Sequence, residues 1–235
     1  MFTLGDNVYE NGTADEFARC YAPSWGHPSI LERTRPVAGN HDYNSPDARP
    51  YFEYFGASAG RPGEGWYAYD HGGWRVYVLN SNCAQVGGCG EGSAQVRWLR
   101  EDLAANPRRC AVAMWHQARF SSGEHGDDNA TADLWRTLQG SGAELVLVGH
   151  DHHYERFAPQ TASGEADPER GLVQFVVGTG GRRLYDIRNV RANSVVRENQ
   201  THGVLRLRLA PDSWSFDFIP VAGRTFTDSG SGTCH

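Results

Sequence analysis

The sequence lacks the long apolar runs and the surplus of basic residues that mark membrane and nucleic-acid-binding proteins. No run approaches the roughly 20 apolar residues that a membrane-spanning helix needs. The N-terminus, MFTLGDNVYE, has neither the basic start nor the apolar stretch of a signal peptide. A formal charge of −6 would repel nucleic-acid phosphates, although a small cationic or metal-filled pocket could coexist with it. We therefore expect neither membrane contact nor general binding of nucleic acid.

The chain also lacks low-complexity linkers and internal repeats. Its 235 residues, 39% of them hydrophobic, are enough to bury one substantial core. Apolar runs recur along the whole length, without the periodicity of a solenoid or a propeller. The sequence therefore predicts a single domain over residues 1–235.

Cysteines are few and odd in number: Cys20, Cys83, Cys89, Cys110 and Cys234. Cys83 and Cys89 frame the glycine-rich loop CAQVGGC, a spacing that suits a local disulfide. The odd count leaves at least one thiol unpaired within the chain. The alternative is a set of scattered, reduced cysteines in a cytosolic protein.

Short runs rich in β-branched or aromatic residues predict buried strands. These runs are WRVYVLN (74–80), CAVAMW (110–115), ELVLV (144–148) and LVQFVVG (172–178). SAQVRWLREDLAANP and TADLWRTLQGSG have the periodicity and the end signals of amphipathic helices, and the tail GVLRLRLAPDSWSFDFIP alternates as an antiparallel hairpin does. The pattern predicts an α/β fold with a mixed sheet, with long surface loops at 44–67 and 154–171.

Polar clusters follow four predicted strands. FTL precedes GDNVY, PVA precedes GNHD, CAVAMW precedes His116, and ELVLV precedes GHDHHYER. The carboxyl ends of strands in open α/β sheets gather functional groups, so these clusters can converge in one crevice. The chemically suitable side chains are those of Asp6, Asn40, His116, His150 and His152. This mixture of oxygen and imidazole donors suits zinc, iron or manganese.

Each of these residues also has a plain structural interpretation. Asp6 and Asn40 taken singly are more often turn residues, and His116 could be a core histidine. His150 and His152 are more informative, because positions i and i+2 of an extended segment point to the same side. Nearby glycines at positions 5, 39 and 149 would allow sharp turns that aim the side chains inward.

In this order, GDNVY, GNHD, a strand ending in His116 and GHDHHYER resemble the motifs of the calcineurin-like metallophosphoesterases over nearly the whole chain. The tyrosines of the first and last motifs and the segment FVVGTGG are similar to the purple acid phosphatase branch. WHQARFSSGEHG and GRTFTDSGSGTCH resemble its bacterial, mostly secreted members. The resemblance implies the metallophosphoesterase fold, an α/β fold in which helices sandwich two mixed β-sheets in four layers. It also implies hydrolysis of small phosphate esters, above all phosphomonoesters, by a metal-bound hydroxide.

Carried over residue by residue, the resemblance implies six ligands for two divalent or trivalent ions, either Fe, Zn or Mn. Asp6 would bridge the two ions. Asn40, His116 and His150 would complete the protein ligands of one ion, while Tyr9 and His152 would belong to the other. Two such ions, roughly 3.5 to 4 Å apart, would activate a bridging water and hold phosphate oxygens.

The resemblance also implies four residues that act on the substrate. His41 would contact the substrate and assist the leaving group, with Asp42 as its orienting partner. His125 would lie near the phosphate. Arg119 would contact the phosphate through its guanidinium, a role for which a surface position is the equal alternative. The glycine run VGTGG lacks the Lys and Ser/Thr of a nucleotide-binding loop, so we expect it to be structural.

The sequence departs from the family pattern at the start of the chain. The family pattern begins earlier, with a strand ending in an aspartate that ligates the first metal, so we expect an N-terminally truncated domain that lacks this motif. The full-length parent is then expected to be secreted or extracytoplasmic. A degenerate domain that binds one metal or none, without catalysis, is the alternative function.

Overall fold

The computed structural model describes residues 1–235 and contains ten strands and five α-helices. The strands are β1 (Tyr67–His71), β2 (Trp74–Val78), β3 (Cys110–Met114), β4 (Leu145–Val148), β5 (Tyr154–Phe157), β6 (Val173–Val177), β7 (Ser194–Glu198), β8 (Gly203–Leu209), β9 (Ser213–Pro220) and β10 (Ser229–Thr233). The helices are α1 (Ala14–Glu16), α2 (Pro28–Leu31), α3 (Arg49–Phe55), α4 (Ala94–Ala105) and α5 (Ala132–Gly140). Helix α1 continues as a π-helical turn over Phe17–Tyr21.

Seven strands form a mixed sheet in the order β1-β2-β3-β4-β6-β5-β7. The central four, β2, β3, β4 and β6, are parallel. The edge strand β1 runs antiparallel to β2, and β5 runs antiparallel to both β6 and the other edge strand, β7. The remaining strands form a smaller antiparallel sheet in the order β10-β9-β8. The predicted mixed α/β fold and the predicted tail hairpin are thus confirmed.

Alternate residues of the central strands enter two different cores, as the period-two geometry of a strand requires. Val112 and Met114 of β3 face the smaller sheet, where they join Trp214 and Phe216. Ala113, from the same strand, faces the opposite way into a second core that α4 and α5 cover. Because both faces of the central strands are buried, their sequences are nearly continuous apolar runs.

The two predicted amphipathic helices are present. Helix α4 begins after Ser93, whose side chain accepts a hydrogen bond from the backbone N–H of Val96, and it buries Val96 and Leu99. Helix α5 buries Leu134, Trp135 and Leu138 on one face. No helix combines the length and the apolarity needed to cross a bilayer.

The prediction of long surface loops at 44–67 and 154–171 is wrong in part. The first stretch contains helix α3, which starts with Pro50 in its first turn and buries Tyr51, Phe52 and Phe55 in a third core. The second stretch begins with strand β5, which pairs with β6 and β7. Aromatic burial outweighed the local density of glycine, proline and charge in both places.

Two disulfides are present, Cys83–Cys89 and Cys110–Cys234, and Cys20 is an exposed free thiol. The first bridge was predicted from its spacing. The second joins Cys110, the first residue of β3, to Cys234, which directly follows β10, across a sequence separation of 124 residues. Nothing in the local sequence pairs these two cysteines, because their proximity depends on how the two sheets stack.

Candidate metal centre

Four polar segments meet at the carboxyl end of the parallel strands, where sequence analysis placed them. His116 follows β3, and the segment 149–153 follows β4. The FTL and PVA runs are not regular strands, and a single parallel bridge joins Phe2 to Arg35. This bridge still brings GDNVY beside GNHD.

At two positions, Gly5 and Gly39, neighbouring segments lie so close together that only glycine fits. A Cβ atom on Gly39 would lie 2.2 Å from both the backbone nitrogen and Oδ1 of Asp6, and one on Gly5 would lie 2.3 Å from Nδ1 of His116. Gly5 also has φ of +92°, which L side chains rarely adopt. These two positions need glycine because Asp6 and His116 lie against the backbone there.

Four side chains surround one position, which we call the first metal point. Nε2 of His116 lies 3.1 Å from Oδ1 of Asn40, 3.2 Å from Nδ1 of His150 and 3.3 Å from Oδ2 of Asp6. Donor atoms of Asp6, His116 and His150 all lie within 4.8 Å of one another. His116 is 1% exposed, so solvent water does not separate the donors on that side.

Hydrogen bonds set which nitrogen of His116 faces this point. Its Nδ1 lies 2.6 Å from the carbonyl oxygen of Leu4, which can only accept, so Nδ1 carries the proton. The lone pair of Nε2 is then directed at acceptor oxygens of Asp6 and Asn40. Lone pairs that face one another in a buried site repel unless a proton or a metal cation lies between them. Burial alone would lower the pKa of His116, but the Asp6 carboxylate more than offsets this and raises that pKa, so the donor set attracts positive charge and fits a metal ion.

The electrostatics of the first metal point also favour a cation. Burial lowers the pKa of His150 to about 3, with His116 and His125 adding to the effect, so His150 is neutral near pH 7. Burial alone would raise the pKa of Asp6, but His116 and the backbone N–H of His41 more than offset it and hold that pKa below its ordinary value. The point therefore combines an ionised carboxylate with a neutral imidazole that can act as a ligand.

A second metal point lies beside the first and shares Asp6. The Tyr9 hydroxyl is 3.2 Å from Oδ2 of Asp6 and 3.1 Å from Nε2 of His152. Nδ1 of His152 donates to the carbonyl oxygen of Arg183 at 2.9 Å, which leaves Nε2 free as a donor to a metal. Burial raises the pKa of Tyr9 well above its ordinary value, and the Asp6 carboxylate adds to this. Three protein donors face this point, and their chemistry also fits a metal ion.

His150 and His152 reach different points because the chain turns between them. His150 has φ of +63°, in the left-handed region, so the segment is not extended. The expectation of one shared face, which assumed an extended segment, is wrong. The third histidine, His153, is fully buried and its Nε2 lies 3.0 Å from Oε2 of Glu155.

His41 lies at the mouth of the site, and its orientation differs from expectation. Its Nδ1 donates to the backbone carbonyl of Glu10 at 2.6 Å, which directs Nε2 away from that contact. Asp42, expected to orient His41, instead accepts hydrogen bonds from Asn7 and from the backbone N–H of Gly39. Burial raises the pKa of Asp42 to about 7. The backbone carbonyl of Glu10, and not Asp42, therefore orients His41. Asp42 instead connects the GDNVY and GNHD segments through its hydrogen bonds to Asn7 and Gly39.

His125 and Arg119 lie in different surroundings. The exposed His125 ring stacks on His150 with 4.1 Å between ring centroids. Arg119 is buried beneath the loop after β5, where Nη2 donates to the carbonyl of Ala162 at 2.8 Å and the guanidinium lies over the Phe120 ring. This guanidinium is buried and already contacts Ala162 and Phe120. Its position therefore contradicts the predicted phosphate contact of Arg119.

Sequence reasoning missed two residues at the second metal point. Tyr185 stacks on His152 with 4.1 Å between centroids and 14° between planes. Arg182 lies over the Tyr9 ring at 4.8 Å, pairs with Glu10, and lines the cleft beside the metal points. The sequence feature that could have indicated both is the run GGRRLY (180–185), because only two residues separate it from the end of strand β6. The cleft has a volume of about 540 Å³.

Oxygen and imidazole donors gathered at the carboxyl edge of a mixed sheet define an α/β domain with a candidate metal site. The sequence model described as calcineurin-like phosphoesterase matches residues 1–154, and the chain belongs to that family. An uncharacterized protein of Mycobacterium tuberculosis is 30% identical over 227 residues, which cover 77% of this chain and 42% of that protein. Purple acid phosphatase 15 of Arabidopsis thaliana is 26% identical, covering 78% of this chain and 40% of that protein.

A solved structure shares the fold. Purple acid phosphatase PPD1 from yellow lupin (Lupinus luteus) seeds superimposes with a TM-score of 0.83, over 98% of this chain and 45% of that one, at 19% sequence identity. The resemblance to the purple acid phosphatase branch is therefore confirmed at the level of sequence relatives and fold. The chain spans about two fifths of the length of the curated relatives described above.

Proposed function

We propose that residues 1–235 form a single metallophosphoesterase domain that hydrolyses phosphate esters, with phosphomonoesters as the favoured class. The observation that carries this proposal is the first metal point, where donors from four segments of the chain face one another at 3.1 to 3.3 Å from one nitrogen of His116. Two bound ions, of Fe, Zn or Mn, would supply an activated water and neutralise phosphate charge. The protein's own side chains hold the ions, orient the ester and move a proton.

His41 is the residue that we assign to proton transfer. Its Nδ1 is tied to the Glu10 carbonyl, so the ring is fixed while Nε2 remains available at the half-exposed mouth of the site. From there it can donate a proton to the departing alcohol oxygen. His125, exposed beside His150, is assigned to contact the phosphate, and Arg182 replaces Arg119 as the candidate guanidinium for it.

Metal content is the first test. Protein purified without chelators should contain about two ions per chain by plasma mass spectrometry, and it should turn over a chromogenic phosphomonoester. Removal of the ions with a chelator should abolish this turnover, and adding them back should restore it. Two bound ions without turnover of either a monoester or a diester would contradict the proposed activity.

The alternative, a non-catalytic domain with one metal or none, is favoured by one observation. The second metal point has three protein donors, and one of them is a tyrosine whose pKa is raised by burial. About one ion per chain and no turnover would support this alternative.

We also propose that the protein works outside the cytoplasm, since its two disulfides suit an oxidising compartment.

Replacing His41 with alanine should lower kcat by about 10²- to 10⁴-fold and leave the metal content unchanged. The reason is that Asp6 accepts its hydrogen bond from the backbone N–H of His41, which the substitution keeps. Steady-state kinetics and metal analysis of the same preparation check this. The exposed His71, which lies at the end of β1, supplies the matched control His71→Ala. If His41→Ala lost metal in proportion to activity, its assigned role in proton transfer would be wrong.

A further inference from the structure

Asp151, between the proposed ligands His150 and His152, is used by a neighbouring loop. It is 1% exposed. Its Oδ1 accepts a hydrogen bond from the backbone N–H of His125 at 2.9 Å. Its Oδ2 accepts hydrogen bonds from the backbone N–H of Gly126 at 3.2 Å and from the Ser121 hydroxyl. One buried carboxylate therefore satisfies three donors from a single turn, residues 121–126.

Glu155, four residues later in the chain, also accepts hydrogen bonds from this turn. It is fully buried, and it accepts hydrogen bonds from the backbone N–H of Ser122 at 2.9 Å and from the Ser122 hydroxyl at 2.5 Å. The Ser122 carbonyl in turn accepts the backbone N–H of Arg188 at 2.8 Å, and the Ser122 hydroxyl oxygen accepts that of Arg191 at 2.9 Å. Ser122, which Glu155 holds, thus links the same turn to a second loop, which carries Tyr185.

The turn is packed as tightly as it is hydrogen-bonded. A Cβ atom on Gly123 would lie 2.6 Å from Cγ of Asp151 and 2.7 Å from Cε1 of His153. The turn therefore lies directly on the histidine segment, with no room for a side chain between them.

The position of His125 depends on this backbone arrangement. Its imidazole makes no hydrogen bond in the structure, and its contacts are stacking on His150 and an edge contact with Tyr185, whose centroid is 5.6 Å away. Stacking is weakly directional for an exposed ring, so the backbone of residues 121–126 decides where His125 lies. Asp151 holds that backbone.

We propose that Asp151 and Glu155, with Ser121 and Ser122, form a serine–carboxylate clamp of positioning residues that holds His125 over the metal ligand His150. This inference rests on the proposed function, since it concerns how the phosphate-contacting His125 is placed. The carboxylate is required because an amide at position 151 would present an N–H₂ group to donors that need acceptors, and a buried donor would then lose its partner.

The test is Asp151→Asn, measured by kinetics, metal content and amide hydrogen exchange. We expect kcat to fall by about 10- to 100-fold with metal content unchanged, and exchange of residues 121–126 to accelerate at least about tenfold. The control Asp212→Asn removes the same charge from an exposed turn where the side chain makes no hydrogen bond, and should change neither. Ser121→Ala should shift both in the same direction by less, and it serves if Asp151→Asn does not fold.

A double-mutant cycle identifies the residue through which the clamp acts. In a His125→Ala background, Asp151→Asn should change kcat less than about twofold, because the positioned group is already gone. An equal loss in both backgrounds would overturn the proposal, as would a loss of metal that matches the loss of activity. Hydrogen exchange tests the clamp even if the wild-type protein hydrolyses no ester, and unchanged exchange in Asp151→Asn would overturn it independently of the proposed function.

Discussion

Replacing His116 with alanine is expected to remove at least one metal ion per chain and to lower phosphoesterase turnover by roughly a thousandfold, equivalent to about 4 kcal/mol of transition-state stabilisation. The effect is large because Nε2 of His116 is the atom around which the donors of Asn40, His150 and Asp6 lie. Without this imidazole, the three remaining ligands, Asp6, Asn40 and His150, lose the side chain that all of them contact. Plasma mass spectrometry and steady-state kinetics measure the two losses.

His116 is fully buried, so its removal also leaves a cavity, and the folding effect must be separated from the metal effect. His116→Gln, which keeps most of the volume and an oxygen donor, should fold and still lose most of its activity. The exposed variant His71→Ala should behave as the wild type. Full metal content and full turnover in folded His116→Gln would show that the first metal point is misassigned.

Replacing Cys110 and Cys234 together by alanine should lower the free energy of unfolding by about 5 kcal/mol, whereas the same change at Cys83 and Cys89 should cost about 2 kcal/mol. The difference follows from loop length, since the two bridges close sequence separations of 124 and 6 residues. A longer closed loop removes more conformational entropy from the unfolded chain. Urea unfolding under non-reducing conditions compares the two double variants directly.

The two double variants serve as controls for each other, because each replaces two cysteines in the same chain. The 110–234 bridge also anchors the end of β10 near the start of β3, so its removal should loosen the smaller sheet first. A loss from the 110–234 variant that is equal to or smaller than the loss from the 83–89 variant would contradict the loop-length argument.

Elements that depend on local periodicity were predictable. The strands β2, β3, β4 and β6 are apolar runs of suitable length, and α4 starts at the predicted Ser93 cap. Helix α3 had a signal that the loop prediction passed over, since Pro50 stands in its first turn and aromatic residues follow at helical spacing. The composition of the stretch 44–67 resembles a loop, and tertiary burial of Tyr51, Phe52 and Phe55 decided otherwise.

The candidate site was predictable as a set of residues and not as a set of contacts. Asp6, Asn40, His116 and His150 follow apolar runs, so their convergence could be expected from the general behaviour of α/β sheets. The partner of His41 could not, because the choice between Asp42 and the Glu10 carbonyl depends on the path of a loop. Arg119 was misplaced for the same reason.

The sequence by itself determined the composition of the site, because its motifs follow apolar runs that can be read along the chain. It also determined the central strands and the bridge between Cys83 and Cys89, since these depend on residues close together in the chain. The tertiary structure alone decided the pairing of Cys110 with Cys234, the stacking of Tyr185 on His152 and the hold of Asp151 on the loop of His125. These contacts join residues 26 to 124 positions apart. No local pattern encodes them, because they exist only after the sheets have stacked and the loops at their edge have been brought together.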